Sequence, residues 1–263
     1  MLLENKNAIV YGAGGAIGGA VARAFAHEGA RVFLAGRSPG PVTALAGEIT
    51  AKGGQAEAGH ADVLDAASVE AHFADVTARA GAVDVSFNAF GLPQRGVQGI
   101  PLAELTPGAF AAPVTAYATA FFVTATAAAR HMAGRGSGAI LTLTASPARL
   151  AAPLVGGMAP AWAAVEALTR DLAAEVGPRG VRVFGLRPDG IPGTPVLAEV
   201  YGLHAAARDT TPEAIRAFFD ARTSLGRQPT LTEVAETAAF LVSDRASALT
   251  GTIVNLSCGS IVD

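Results

Sequence analysis

A glycine-rich segment, YGAGGAIG at residues 11–18, has the residue types and spacing that point most directly to chemistry. Glycine allows a tight turn and a close approach of the backbone to a ligand, and free N–H groups at the start of a helix favour a phosphate. An apolar run at residues 8–10 precedes the segment, a helical pattern follows it, and a second apolar run covers residues 32–35. This context predicts a dinucleotide-binding turn. The alternative is a tight connection that only packs a helix against a sheet.

Side chains for acid and base chemistry are sparse. The chain has two lysines, Lys6 and Lys52, and three tyrosines, Tyr11, Tyr117 and Tyr201. No tyrosine is followed by a lysine four or seven residues later, a spacing at which a helix would bring both side chains to one face. The five histidines show no metal-ligand spacing, so no metal is predicted, and they are interpreted as surface or satisfied core residues.

Apolar runs alternate with helical patterns along the whole chain, which predicts an α/β fold with a parallel sheet covered by helices on both faces. The length of 263 residues suits one large domain. The predicted strands span residues 8–11, 32–35, 56–61, 83–88, 139–143, 181–186 and 252–256. The predicted helices span residues 19–27, 42–51, 66–80, 110–132, 161–176 and 231–242.

Composition limits the classes of partner. Hydrophobic residues make up 51% of the chain and charged residues 16%, and the net charge of −3 gives no reason to expect nucleic acid. Residues 105–129 carry no charge but contain Pro113 and five threonines, so we interpret them as a core helix or subunit contact and not as a membrane span. The lone Cys258 and the lack of a signal-peptide pattern indicate a reducing cytoplasm.

Six motifs spread over the chain resemble those of the short-chain dehydrogenase/reductase family, single-domain type. They are YGAGGAIG, HADV at residues 60–63, VDVSFNAFG at 83–91, GAILTLTA at 138–145, AAVEALTRDLAAEVGPRGVRV at 163–183 and ALTGTIVNLSCG at 248–259. The resemblance runs from about residue 5 to the end and implies one Rossmann-type doubly wound sheet of about seven strands over residues 1–263. Tyr11 and Ala16 depart from the family's usual Thr and Gly.

The resemblance also implies a set of cofactor contacts. They are Gly12, Gly14, Gly15, Ile17, Gly18, Asp62, Val63, Asn88, Ala89, Pro188 and Ile191. Family members that use NAD place an acidic residue at the end of the second strand, where this chain has Gly36 followed by Arg37. A guanidinium there can pair with a 2′-phosphate, so NADP(H) is the expected cofactor. The alternatives are that Arg37 is a solvated surface charge and that Asp62 only caps a strand end.

The family's four catalytic residues have no counterparts in this chain. Where the family has Asn, Ser, Tyr and Lys, the matching positions are Ala116, Ala145, Met158 and Trp162. The resemblance therefore implies a degenerate active site that lacks ordinary carbonyl reduction, although Met158 and Trp162 also fit simple packing on a helix face. Because Pro160 disfavours helical geometry in the residue before it, Ala159 is expected to lie outside the helix.

Residues 190–222 correspond to the family's mobile helix pair that covers the substrate. Asp189, Tyr201 and His204 are the first candidates for substitute acid or base groups, and the alternative is that they are solvated loop residues. Three hypotheses remain: an NADP(H)-dependent oxidoreductase of altered mechanism, a silent cofactor-binding sensor or partner subunit, and a non-redox cyclase or isomerase. A homo-oligomer, tetramer or dimer, is expected, and an apolar small molecule is the expected ligand.

Overall fold

Seven parallel strands form one sheet in the computed structural model, which describes residues 1–262. In chain order they are β1 (Asn7–Tyr11), β2 (Arg31–Gly36), β3 (Gln55–His60), β4 (Val85–Asn88), β5 (Gly138–Leu143), β6 (Val181–Pro188) and β7 (Thr252–Leu256). Across the sheet the order is β3-β2-β1-β4-β5-β6-β7. The prediction of a parallel sheet of about seven strands is confirmed.

Residues 1–262 form eight α-helices. They are α1 (Ala16–His27), α2 (Pro39–Ala51), α3 (Ala66–Ala80), α4 (Pro107–Arg135), α5 (Met158–Val176), α6 (Pro195–Ala207), α7 (Pro212–Ala221) and α8 (Leu231–Val242). Helices α6 and α7 pack on each other, and the other six cover the two faces of this sheet. One apolar core contains side chains of α3, α4 and α5, and a second contains side chains of α1, α2 and α8. Two cores on opposite faces are what a doubly wound sheet requires, because each face must be shielded from water.

Helix α5 begins at Met158, so the expectation that Ala159 lies outside the helix is wrong. Pro160 is the third residue of the helix. The first four N–H groups of a helix have no intrahelical acceptor, so the missing N–H of a proline costs little there. Met158 therefore sits in the first turn, and its side chain is buried at 1% exposure.

Helix α4 contains most of the uncharged segment noted in the sequence, residues 105–129. By length and composition it could cross a membrane, but core helices pass the same test and this one packs against α3, α5 and the sheet. Tyr117, Phe121 and Met132 on its inner side are buried, whereas Phe110 and Phe122 are exposed. The helix is thus part of the folded core, and it leaves two phenylalanine side chains exposed.

The chain reverses its direction across the sheet between β1 and β4. These strands are hydrogen-bonded neighbours, with Tyr11 opposite Asn88 at their carboxyl ends. Their connections leave toward opposite sides, which opens a crevice at that point, where open α/β sheets bind ligands. Gly12 and Ala89, which follow the two strands, form the floor of the crevice.

Candidate functional site

The turn after β1 is built so that only glycine fits at two positions. Gly12 has a φ of +73°, and a Cβ on it would lie 2.7 Å from the carbonyl oxygen of Ala89. A Cβ on Gly18 would collide with the carbonyl oxygen of Gly12. These close approaches bring the N-terminus of α1 against the end of β4, with Gly15 as the N-cap residue.

A cavity of about 520 Å³ extends from this turn to the helices α6 and α7. Its lining is mostly apolar and includes Gly15, Ala16 and Ile17 at the start of α1. The first N–H groups of this helix have no helical acceptors and are available to a ligand. The far side of the cavity is lined by side chains of α6 and α7, which lie within residues 190–222. That this region covers a substrate stays a prediction.

The predicted cofactor residues divide into two groups. Seven of them line the cavity: Gly12, Gly15, Ile17, Gly18, Ala89, Pro188 and Ile191. Gly14, Arg37, Asp62, Val63 and Asn88 lie outside its lining. Arg37 is exposed just beyond the end of β2.

Two members of the second group have clear structural roles. The Asn88 side chain is buried and donates to the Ala120 carbonyl and to Thr124 Oγ1, at 2.9 and 2.8 Å. The Asp62 carboxylate accepts a hydrogen bond from the backbone N–H of Leu64, so its side chain closes a local turn. The roles of these residues toward a cofactor remain predictions.

The positions matched to the family's catalytic residues separate in space. Ala145 and Trp162 line the cavity, whereas Met158 lies in the core on the α4–α5 side. Ala116 does not line the cavity, and Tyr117, the next residue, does. The match of Ala116 to the family's Asn position stays a prediction, and Tyr117 is the residue of this turn of α4 that faces the cavity.

Tyr117 presents a protonated phenol to the cavity. Burial raises the pKa of its hydroxyl to about 12, and hydrogen bonds from the Leu92 backbone and the Trp162 indole offset this only in part. Phe90 meets the Tyr117 ring edge-on with ring centroids 5.3 Å apart. Because the chain's two lysines are paired with Asp244 and Glu48, they do not reach this phenol to lower its pKa.

A buried ion pair lies behind the cavity wall. The Arg187 guanidinium contacts Glu166 at 3.0 Å, and their side chains are 3% and 6% exposed. The hydroxyl of Thr144, a lining residue, donates to the same carboxylate at 3.0 Å. Such a pair needs its hydrogen bonds to offset the cost of desolvation. Here it joins α5 to β6 and fixes the orientation of Thr144.

Two consecutive hydrogen bonds connect helix α6 to the loop after β4. Gln98 Oε1 lies 3.0 Å from His204 Nε2, and the Gln98 amide donates to Gln94 Oε1 at 2.6 Å. An amide oxygen only accepts, so Nε2 of His204 carries the proton. Its Nδ1 is buried without a partner among residues 1–262. Burial, with the nearby charge of Arg208, lowers the pKa of His204 to about 4.

The three candidates for substitute acid or base groups have different surroundings. His204 and Asp189 line the cavity, and Asp189 accepts a hydrogen bond from the Gly190 N–H. The Tyr201 hydroxyl is 3.0 Å from Gln228 Oε1 and does not line the cavity. His204 is thus a neutral buried side chain at the ligand space, and the interpretation of the histidines as surface or satisfied core residues does not hold for it.

The residues of the turn fit a dinucleotide cofactor. The glycine turn brings uncapped N–H groups of α1 to the cavity edge, and a Cβ built on Gly15 meets only the Gly12 oxygen at 3.4 Å, so the space in front of it is open. At the opposite part of the cavity the wall is aromatic, with Trp162 and Tyr117. The phosphate end of the cleft therefore fits such a group better than the aromatic end does.

Comparison with known proteins agrees with this geometry. The family model described as Enoyl-(Acyl carrier protein) reductase matches residues 12–260. A cis-4-hydroxycyclohexanecarboxylate dehydrogenase from Sinomonas cyclohexanicum is 32% identical over 252 residues, which cover 96% of this chain and 95% of the relative.

Two solved structures are similar over nearly their full length. An actinorhodin polyketide ketoreductase with NADPH has a TM-score of 0.89 and 28% identity, covering 97% of each chain. A gluconate 5-dehydrogenase from Burkholderia cenocepacia J2315, in complex with NADP and tartrate, has a TM-score of 0.86 and 28% identity, covering 98% of this chain and 96% of the other. Since the family model and these relatives span almost the whole chain, the protein belongs to the short-chain dehydrogenase/reductase family of oxidoreductases.

Proposed function

We propose that the protein binds NADP(H) in the cleft and is an oxidoreductase-type protein that does not use the family's Ser–Tyr–Lys chemistry. One observation carries this proposal. The cavity wall has Ala145 and Trp162 where the family resemblance places Ser and Lys, and Met158, at the Tyr position, is buried in the core. A methyl group, an indole and a thioether cannot act as the proton donor of a reduction.

The preference for NADP(H) rests on Gly36 and Arg37. A carboxylate at this place would repel a 2′-phosphate, whereas the exposed Arg37 guanidinium can pair with it. The relatives with NADPH and with NADP in their structures support the same choice. The uncapped N–H groups at the start of α1 would hold the diphosphate.

The mechanism is constrained by the acid groups that remain. The bound cofactor would supply a hydride. Tyr117, the phenol in the wall, has a pKa of about 12 and lacks a neighbouring lysine, and the pKa of His204 is about 4. A positioned acid with a suitable pKa contributes roughly 10² to 10⁴ in rate. An activated substrate that needs little proton transfer from the protein therefore fits this site better than an ordinary ketone does.

A second candidate is a cofactor-binding protein without catalysis, acting as a sensor or a partner subunit. The bulk of Trp162 favours it, because the indole stands at the family's lysine position, where the nicotinamide ribose would be held. In that case the cofactor would be held mainly by its adenine half. The cytoplasm, with its reduced thiols, is the location we propose for either candidate.

Titration and turnover together test the proposal. Trp162 is the only tryptophan, so its emission reports on the cavity directly. We expect NADPH to change this emission saturably, and we expect no cofactor-dependent reduction of a panel of aldehydes and ketones. The absence of any NADPH binding would contradict the proposal that the cleft binds this cofactor. Robust turnover by the parent that is abolished in Met158→Ala would contradict the proposed lack of Ser–Tyr–Lys chemistry, because Met158 would then have a catalytic role.

A further inference from the structure

Two arginines and one phenylalanine form the outer wall of the cavity. Arg208 follows α6, Phe218 belongs to α7 and Arg222 follows α7, and all three line the cavity. Phe218 is 49% exposed, which places this group where the cavity opens to solvent. We name Arg208, Phe218 and Arg222 the arginine rim.

The two guanidinium groups share one ring. The Arg208 carbon Cζ lies 5.8 Å from the centre of the Phe218 ring, and that of Arg222 lies 5.5 Å from it. Stacking on the ring holds both cations at the opening. Neither has a carboxylate within salt-bridge distance among residues 1–262, whereas many other arginines are ion-paired.

Bringing two like charges to one ring is unfavourable unless an anion lies between them. The remaining charged side chain of the lining, Asp189, already accepts the Gly190 N–H. Behind the rim the wall is apolar and aromatic, with Phe219, Trp162 and Val155. A polar anchor at the opening and an apolar interior together select an amphipathic molecule.

We propose that the cavity binds an apolar molecule with one anionic group, a carboxylate or a phosphate, held by Arg208 and Arg222 at the rim. The apolar body lies inside, against Trp162. This inference concerns the same cavity as the proposed function. It depends on the proposed function only in assuming that the cavity binds a ligand. The anion could also belong to the cofactor, and the experiment separates the two sources.

The test is a titration of the cofactor-free full chain with decanoate and decanol, which share an apolar chain and differ in charge. Trp162 emission and calorimetry both follow binding. We expect decanoate to bind roughly ten- to a hundredfold more tightly than decanol, the range for charge-assisted contacts. Added salt weakens the binding of decanoate alone.

Arginine variants test whether the rim binds the carboxylate of decanoate. Arg208→Ala with Arg222→Ala should bring the affinity for decanoate down to that for decanol and change decanol binding less than about threefold. Arg179→Ala, at an exposed arginine away from the cavity, is the matched control and should change neither. Melting curves verify that each variant is folded.

Three results would overturn the inference. They are equal affinities of the parent chain for the two probes, an equal loss in Arg179→Ala, and a loss of NADPH affinity in the double variant as large as the loss for decanoate. The last result would assign the arginines to the cofactor. If NADPH fails to bind while decanoate binds through the rim, the proposed function fails and this inference stands.

Discussion

The ring of Tyr117 meets the indole of Trp162 edge-on, with centroids 6.1 Å apart and planes at 65°. The indole N–H also hydrogen-bonds to the phenol oxygen and lowers its pKa, against the larger effect of burial. Two helices, α4 and α5, are thus joined at the cavity wall by one aromatic contact and one hydrogen bond. In this chain an aromatic pair occupies the part of the site where the family resemblance places polar catalytic groups.

Removing the phenol oxygen tests this contact. We expect Tyr117→Phe to keep the ring packing and to lower the free energy of unfolding by about 1 kcal/mol, the usual net worth of a hydrogen bond. The Trp162 emission maximum should shift as well, because the indole loses its acceptor. Tyr201→Phe, which removes another buried phenol oxygen, is the control and should leave the emission unchanged. Identical stability and emission in Tyr117→Phe and the parent would disprove the contact.

Arg37 is expected to decide the choice of cofactor. NADPH should bind about ten- to a hundredfold more tightly than NADH, because a charge-assisted phosphate contact is worth about 1.5–3 kcal/mol. Arg37→Ala should remove most of this difference and leave NADH affinity nearly unchanged. Titrations of Trp162 emission measure all four affinities, and Arg179→Ala serves as the charge-matched control. Equal affinities of the parent for both nucleotides would refute the prediction.

The sequence predicts the sheet and its helices well, because buried strands and glycine turns leave strong local patterns. It does not show that Tyr117 faces the cavity, since residues 105–129 are rich in alanine and carry no charge that would mark which face is inside. The contact of His204 with Gln98 joins residues 106 positions apart, and no local sequence pattern predicts it. The contact of both rim arginines with Phe218 likewise cannot be predicted from the sequence, because it depends on how α6 and α7 pack.

Stability should fall as the pH is lowered from about 6.5 toward 4. Burial lowers the pKa of His72 and of His204 from 6.5 to about 4, so in this window the unfolded chain binds protons that the folded chain does not. Their contribution is fully present above about pH 6.5 and is lost as the pH falls, by up to about 1.4 kcal/mol per pH unit for each group.

Denaturant unfolding at several pH values measures this slope. His204→Gln keeps a donor for Gln98 and cannot titrate, so its slope should be shallower than that of the parent. His27→Gln changes an exposed histidine and should leave the slope unchanged. A parent chain whose stability is flat between pH 4 and 6.5 would show that these two histidines are accessible to protons in the folded state.

Assembly is expected to use the outer face of α4. Phe110 and Phe122 on this helix are 40% and 54% exposed, and large apolar side chains are costly to leave in water. We predict a tetramer or dimer in sedimentation, and a smaller species for Phe122→Asp. Leu64→Asp, at a 39% exposed apolar residue before α3, is the matched control and should sediment like the parent. A monodisperse parent monomer would contradict the prediction.

Restoring one family residue should not restore family chemistry. Met158 is 1% exposed in the core, so Met158→Tyr adds volume where there is no room and should lower the free energy of unfolding by about 1–3 kcal/mol. The new phenol would still face Trp162 in place of a lysine four residues later. Residues that act as a unit are not additive, so this variant should reduce benzaldehyde with NADPH no faster than the parent.

The triple variant Ala145→Ser, Met158→Tyr, Trp162→Lys is the informative comparison. If the cleft holds NADPH in the family's geometry, only this combination should gain measurable turnover, because proton donor, orienting hydroxyl and lysine then return together. Trp162→Phe keeps the apolar wall and is the control for loss of the indole alone. Turnover by Met158→Tyr alone equal to that of the triple variant would show that a single proton donor was missing, and the argument from the aromatic pair at Trp162 would fail.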